Sequence, residues 1–294
     1  MTQKVTIASL QQMKREGRKI VGVVVYDYQM AQIVDRAGVD IVSVGDSVGK
    51  NVWGQESELD VTLDQMLLAC KAVRRGVERA LVSCDLPYGP VQQGSDAAVR
   101  AAGLLVKEGG ADVVKVDAAA EFPETVRAIV DAGIPVWAQF GVTPHTSGGS
   151  NQPSRFALRR SAEALAEAER TRPTEPTPEE FVAQAKLLER AGVAMLDFTH
   201  SGPVAGPAVT AAVSIPVIGG LGGGPWLDGR VRAIGNAIGN LATALDDTTD
   251  RYANVAKITL EAMKMYSDDV RAGRPVKGEP AGSKGPGLRA KAGK

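Results

Sequence analysis

Short apolar runs recur at a regular spacing, at residues 20–25, 41–44, 80–84, 113–116, 136–138, 194–198 and 217–218, with a weaker eighth at 231–238. Most are short, and several are rich in Val and Ile, the pattern of strands buried on both faces of a parallel sheet. Between them lie amphipathic stretches of helical spacing that stop at glycines: 30–37 before Gly38, 63–75 before Gly76, and 97–108 before Gly109 and Gly110. The words RAGVDIVSV, KEGGADVVKV, DAGIPVWAQ and ERAGVAMLD each lead a helix end through a glycine into a strand. Four copies of that junction describe a repeated βα unit, and about eight such units fit a chain of 294 residues as a closed (β/α)8 TIM barrel, an α/β fold. An open doubly wound sheet is the competing arrangement, but no Gly-rich dinucleotide fingerprint follows the first strand. The run GGLGGG at 219–224 follows the seventh strand instead, where barrels commonly cradle an anion on backbone N–H groups.

Residues 147–178 break the rhythm: they are polar, with Arg155, Arg159, Arg160, Arg170 and Arg172 among Ala, Glu and Pro, and 161–171 carries the pattern of a short helix. An insertion after the fifth strand projects over the barrel mouth as a lid, a subunit contact or a solvated loop. The barrel is expected to occupy 1–272 as one catalytic domain. Residues 273–294, with six basic residues against one acid and much Gly and Pro, read as a disordered basic tail.

Composition narrows the class. A hydrophobic content of 44% supports a sizeable core, and a net charge of zero offers no electrostatic case for a nucleic-acid partner. The chain has neither an apolar run long enough to span a membrane nor an apolar stretch behind its basic N-terminus, so a cytoplasmic protein is expected. Cys70 and Cys84 match no zinc or redox spacing and are expected to be buried free thiols.

In a barrel, chemistry gathers at the C-terminal ends of the strands. The second apolar run ends in Gly45, Asp46 and Ser47, and the third in Asp85. The fourth carries Lys115 and Asp117, two apart and therefore on one side of the strand. Three carboxylates and a lysine from neighbouring strands suit Mg²⁺, which takes one or two protein carboxylates and keeps several waters. Such an ion chelates a 2-oxo acid and stabilises its enolate, with Lys115 opposing the developing negative charge. The competing reading gives Asp46 and Asp85 to helix capping and pairs Lys115 with Asp117. His145 and His200 also follow strands; His200 is the better catalytic candidate, its loop opening onto the same mouth. Trp53, Trp137 and Trp226 read as packing residues.

At these motifs the chain resembles the ketopantoate hydroxymethyltransferase family. The words that carry the resemblance are YDYQMAQIVDRAGVDIVSVGDSVG, VTLDQMLLACKAVRRG, DLPYG, LVKEGGADVVKVD, AGIPVWAQFGVTP, SIPVIGGLGGG and LDGRV, in family order from about residue 20 to 230, with MYSDDVRAG beyond them. The phosphoenolpyruvate mutase and isocitrate lyase enzymes share the barrel but match these words less well. The resemblance implies that Asp46 and Asp85 ligate Mg²⁺, with Asp117 where the family has a glutamate near the metal. It implies that Asp46, Ser47, Asp85 and Lys115 meet a small 2-oxo acid, which gains a one-carbon unit from methylenetetrahydrofolate. It also implies a homo-oligomer.

Two departures mark this chain. The family's catalytic glutamate, in a VLE word after the sixth strand, is replaced by Thr199, whose hydroxyl is neither anionic nor basic at neutral pH. A family histidine in HIGLTP is replaced by Gln139, and the family's downstream QGR word gives way to the Arg-rich insertion. Asp197 and His200 are the candidates to transfer the proton in its place. The leading expectation is a Mg²⁺-dependent aldol-type transferase. The alternatives are a lyase or decarboxylase that cleaves a C–C bond of a 2-oxo acid, and a catalytically silent barrel that binds a metabolite.

Overall fold

In the computed structural model, which describes residues 3–143, 145 and 176–278, the apolar runs become eight parallel strands. They are β1 (Ile20–Val24), β2 (Ile41–Val44), β3 (Leu81–Asp85), β4 (Val113–Val116), β5 (Val136–Gly141), β6 (Met195–Thr199), β7 (Val217–Gly219) and β8 (Gly229–Ala233). Each pairs with its neighbours in chain order, and β8 pairs with β1 to close the barrel. A closed sheet has no edge to protect. The expected TIM barrel is the fold.

The helices follow from their caps and apolar spacing. In α4 (Leu63–Gly76), Thr62 and Gln65 form a capping box, and Met66, Ala69, Cys70 and Val73 make one buried stripe. The other helices of the barrel are α1 (Ile7–Arg15), α2 (Tyr28–Arg36), α3 (Val48–Val52), α5 (Ser95–Lys107), α6 (Pro123–Asp131), α7 (Pro178–Arg190) and α8 (Ala205–Ala212). The repeated glycine junction has a conformational cause. Gly38, Gly110, Gly133 and Gly192 all sit at positive φ, between 76° and 88°, where a side chain would be strained and a helix must stop.

The eighth apolar run divides into strand and helix. β1 ends at Val24 opposite Ala233, so no ladder remains beyond that point, and 234–238 turn into α9 (Ile234–Ile238). β5 and β6 run further than their apolar runs, because Gln139↔Asp197 and Gly141↔Thr199 continue the pairing despite polar side chains.

The barrel floor is apolar. Ile20, Ile41, Leu81, Val113, Trp137, Met195, Ile218 and Val231 converge inside it, and α1 plugs it with Leu10 and Met13, held at its start by the Thr6–Ser9 capping box. Side chains alternate along a strand, so the inward row continues two residues on. Above Leu81 come Ser83 and Asp85, above Val113 comes Lys115, above Trp137 comes Gln139, and above Met195 comes Asp197. An apolar floor thus carries a polar layer toward the mouth.

The chain divides into two compact units, Met1–Ile234 and Gly235–Lys294. The second contains a 3-10 turn (Ala242–Leu245) and α10 (Val255–Arg271), which Asn254 caps by accepting from Lys257 N while its amide donates to the Ala244 carbonyl. Residues 146–175, most of the expected insertion with its short helix, and 279–294, most of the expected tail, lie outside the described residues. Among the described residues, no helix is long and apolar enough to cross a membrane. Cys70 and Cys84 are both free and buried.

Candidate active site

Lys115 organises the polar layer. Its ammonium lies 3.0 Å from Asp197 and 3.9 Å from Asp85, and 5.4 Å above the ring of the fully buried Trp137. Burial alone would favour the neutral amine, but the Asp85 and Asp197 carboxylates more than offset that and hold Lys115 above the usual lysine range. Its partner is therefore Asp197 rather than Asp117, and Trp137 is a cation–π neighbour as well as a packing residue. The other Asp197 oxygen accepts from Gly220 N at 3.1 Å. That amide, at the start of the glycine-rich loop, is directed at a carboxylate of the chain itself.

Asp85 closes the row on β3. Burial pushes its carboxyl up to about 7, with Lys115 opposing the shift and Asp46 adding to it. One of its oxygens lies 3.4 Å from Asp46 N, whereas Oδ1 is buried with no hydrogen-bond partner among the described residues. A buried carboxylate oxygen without a donor costs free energy unless a cation or donor meets it. Neither aspartate is a helix cap. Ser47 stands at the N-cap of α3, and Gly94 at that of α5.

Ser47 shares a 3.0 Å hydrogen bond with the Tyr26 hydroxyl, which accepts from the Asn51 side-chain amide at 2.8 Å. Either hydroxyl can donate in this pair; with Tyr26 donating, the Ser47 proton points onward.

Asp117 follows β4 and is enclosed by main-chain donors: Oδ1 accepts from Ala118 N and Oδ2 from His145 N at 3.3 Å. Burial raises its pKa, and the neighbouring His145 opposes the rise. The His145 ring reaches across to Asp46, with Nε2 3.2 Å from Asp46 Oδ2 and Nδ1 3.8 Å from Asp117 Oδ2, and its side chain is only 4% exposed. Burial works against its protonation, but the hydrogen bond to Asp46 and the charge of Asp117 outweigh this and raise its pKa above the ordinary histidine value.

The remaining sequence candidates stand apart from this cluster. Thr199 is fully buried, and its single hydroxyl proton is shared between the Phe140 and Val142 carbonyls, 3.0 and 2.8 Å from the hydroxyl oxygen. His200 is exposed, at φ 53°, with Nδ1 3.1 Å from the Val142 carbonyl. Of the two histidines, His145 is the one whose ring meets the carboxylates: the chain turns through positive φ after β6 and carries the His200 ring outward, whereas His145 after β5 lies against Asp46. Tyr26 went unnoticed in the sequence, where His145 ranked below His200. Each follows a strand end, the signal that selected Asp46 and Asp85, but Tyr26 acts through Ser47 and His145 through a loop of unpatterned sequence.

Among the described residues, no three His, Cys, Asp or Glu side chains form a ready cage for a metal ion. Mg²⁺ needs none, since it binds through one or two carboxylates plus water or substrate oxygens. The Asp46–Asp85 pair, with its partnerless buried Oδ1, fits such an ion.

Comparison with known proteins places the chain in a family. The ketopantoate hydroxymethyltransferase family profile matches residues 4–275. The 3-methyl-2-oxobutanoate hydroxymethyltransferase of Moorella thermoacetica is 38% identical over 271 residues, covering 92% of this chain and 95% of its own. That of Cyanothece sp. is 37% identical over 273 residues, covering 91% and 96%. Among solved structures, 2,3-dimethylmalate lyase of the PEP mutase/isocitrate lyase superfamily superposes with a TM-score of 0.58 at 15% identity, covering 94% of this chain and 92% of its own. Phosphonopyruvate hydrolase in complex with oxalate and Mg²⁺ gives 0.56 at 12% identity, covering 92% and 88%. At those identities the structural likeness concerns the barrel alone. The family profile and its members span nearly the whole sequence, and the chain belongs to the ketopantoate hydroxymethyltransferase family.

Proposed function

We propose that this chain transfers a hydroxymethyl group to C3 of 3-methyl-2-oxobutanoate or a close 2-oxo acid, using a divalent cation, Mg²⁺ by the family resemblance. The observation that carries the proposal is the meeting of Asp46, Asp85 and Lys115 at three successive strand ends, with Asp85 Oδ1 buried and unpartnered. Asp46 and Asp85 hold the cation, and Asp117, itself held by the main-chain N–H groups of Ala118 and His145, supports them from beside. When bound, the cation supplies Lewis-acid polarisation of the 2-oxo carbonyl, which makes the C3 proton removable. The Lys115 ammonium, fixed over Trp137, offsets the charge that appears on the substrate oxygens, and the Ser47 hydroxyl, oriented by Tyr26, donates to the substrate carboxylate. Of the three candidates on and just after β6, Asp197 alone touches this cluster, and it takes the C3 proton. Lys115 and Gly220 N hold its carboxylate in place meanwhile. The C3 carbanion then bonds to the one-carbon unit; with methylenetetrahydrofolate, the donor that the resemblance implies, water supplies the hydroxyl oxygen and tetrahydrofolate departs as its C–N bonds to that carbon break and its nitrogens take up the protons. Thr199 takes no part, its hydroxyl being bound to main-chain carbonyls.

Proton NMR of 3-methyl-2-oxobutanoate in D₂O with enzyme and Mg²⁺ tests this reading. Exchange at C3 is expected, with its loss on chelation and in Asp85→Ala and Asp197→Asn, and its retention in Thr199→Ala. Absence of exchange in the wild type, with exchange restored by Thr199→Glu, would make the chain a silent barrel whose chemistry lapsed with its family glutamate.

A further inference from the structure

The carboxylates assigned to the cation come from β2 and β3, yet the group that fixes one of them comes from the far side of the mouth. His145 follows β5, and three observations set it apart from a solvated loop histidine. Its ring is almost wholly buried, with Nε2 3.2 Å from Asp46 Oδ2. Its main-chain N–H donates to Asp117 Oδ2 at 3.3 Å, so one residue grips two carboxylates from two different strand ends. The Tyr88 ring meets the imidazole edge-on, with centroids 5.5 Å apart and planes at 86°, which limits rotation about its side-chain bonds.

We propose that His145 is a positioning residue for the metal-binding carboxylate: its imidazole N–H holds Asp46 Oδ2 so that the other oxygen of Asp46 is presented to the cation. The inference rests on the assignment of Asp46 and Asp85 as metal carboxylates and adds to it the part played by the β5 side of the mouth. A free Asp46 side chain, 14% exposed at the start of a five-residue helix with no side-chain cap bond, would sample several rotamers. Each rotamer away from the cation lowers affinity by its population, and a fixed second hydrogen bond removes that loss. Partners of this kind typically change metal affinity by about 10- to 100-fold when removed.

The test is titration of the chelator-treated protein with Mn²⁺, following free Mn²⁺ by EPR, for the wild type, His145→Gln, His145→Ala and Asp46→Ala, with thermal unfolding of each. Asp46→Ala is expected to abolish binding at this site. His145→Ala is expected to weaken it by about 10- to 100-fold. His145→Gln, which keeps an N–H donor without the ring or its charge, should stay within about threefold of wild type, as hydrogen-bond positioning demands. Unfolding midpoints that stay together would show that lost affinity is not lost folding. Equal or tighter binding by His145→Ala would overturn the positioning role while leaving the metal assignment standing, and tighter binding would identify the imidazole as a competitor of the cation. No Mn²⁺ binding by the wild type would overturn both readings.

Discussion

The two halves of the barrel mouth are built by different rules. On the β2–β4 side, functional side chains lie on strands or directly after them, in rows that begin in the apolar floor: Leu81, Ser83, Asp85 on β3, and Val113, Lys115, then Asp117 past the end of β4. Their direction follows from the two-residue period of a strand. On the β5–β6 side the same period holds, but it delivers less chemistry. Asp197 reaches Lys115, whereas Thr199, next in its row, has turned its hydroxyl into the β5 backbone. What the second half contributes beyond Asp197 comes from a loop, through His145. A strand-borne site is fixed by register, whereas a loop-borne one depends on contacts made after the barrel has closed.

The sharpest way to break this contrast is Lys115→Ala. It strands Asp197 and Asp85 as buried charges without a cation, and removal of one partner from a buried pair costs about 3–5 kcal/mol. A fall in urea-unfolding stability of that order is expected, together with loss of C3 exchange. A small change would mean that the two halves are not joined through this ammonium.

Asp85 gives the next largest effect, and its sign is set by burial. Its carboxyl is raised from 3.8 to about 7 in the folded chain. Between those values the folded chain holds a proton that the unfolded chain has lost, so Asp85 makes the metal-free protein less stable as pH rises across that window. The unfolding midpoint of the chelator-treated protein should therefore fall from pH 5 to pH 7.5, less steeply in Asp85→Asn. The raised His145 pKa acts in the same direction and remains in that variant. Added Mg²⁺ should stabilise the wild type at pH 7.5 and leave Asp85→Asn unaffected. An unchanged slope in the variant would remove Asp85 from this account.

Thr199→Ala probes the other half. The hydroxyl proton shared between the Phe140 and Val142 carbonyls is lost, at a cost of about 1–3 kcal/mol in stability, with exchange kinetics within twofold of wild type. A large kinetic defect would return Thr199 to the chemistry. The smallest effect is expected from His200→Asn, which keeps a residue tolerant of the left-handed backbone and removes an exposed ring. Stability should shift by no more than about 0.5 kcal/mol, as for most surface changes.

How far this site was legible in the sequence follows the same division. The barrel was readable because its glycine junctions recur and its strands are apolar. Asp46, Asp85 and Lys115 were readable because a polar residue closing an apolar run has few other places to point. The partner of Lys115 was not, since Asp197 lies 82 residues on and meets it only when β6 folds in beside β5. His145 and His200 look alike in sequence, each a histidine just past a strand. A positive φ at one and a Tyr88 contact at the other decide which faces inward, and neither is written in local composition. The eighth strand was blurred for a related reason: where pairing ends is a property of β1, not of the apolar run itself.

Trp137 gives the molecule an optical consequence. Of the three tryptophans, it is the one sealed in the barrel floor with an ammonium 5.4 Å from its ring. Indole emission responds to a nearby charge, and this charge is shared with the two carboxylates around which the site is built. Any event that redistributes charge among them, whether an arriving cation, an arriving oxo acid or a departing proton, is written into the fluorescence of one buried ring. Binding to this barrel can thus be followed in the unlabelled protein, with Trp137→Phe as the silent control.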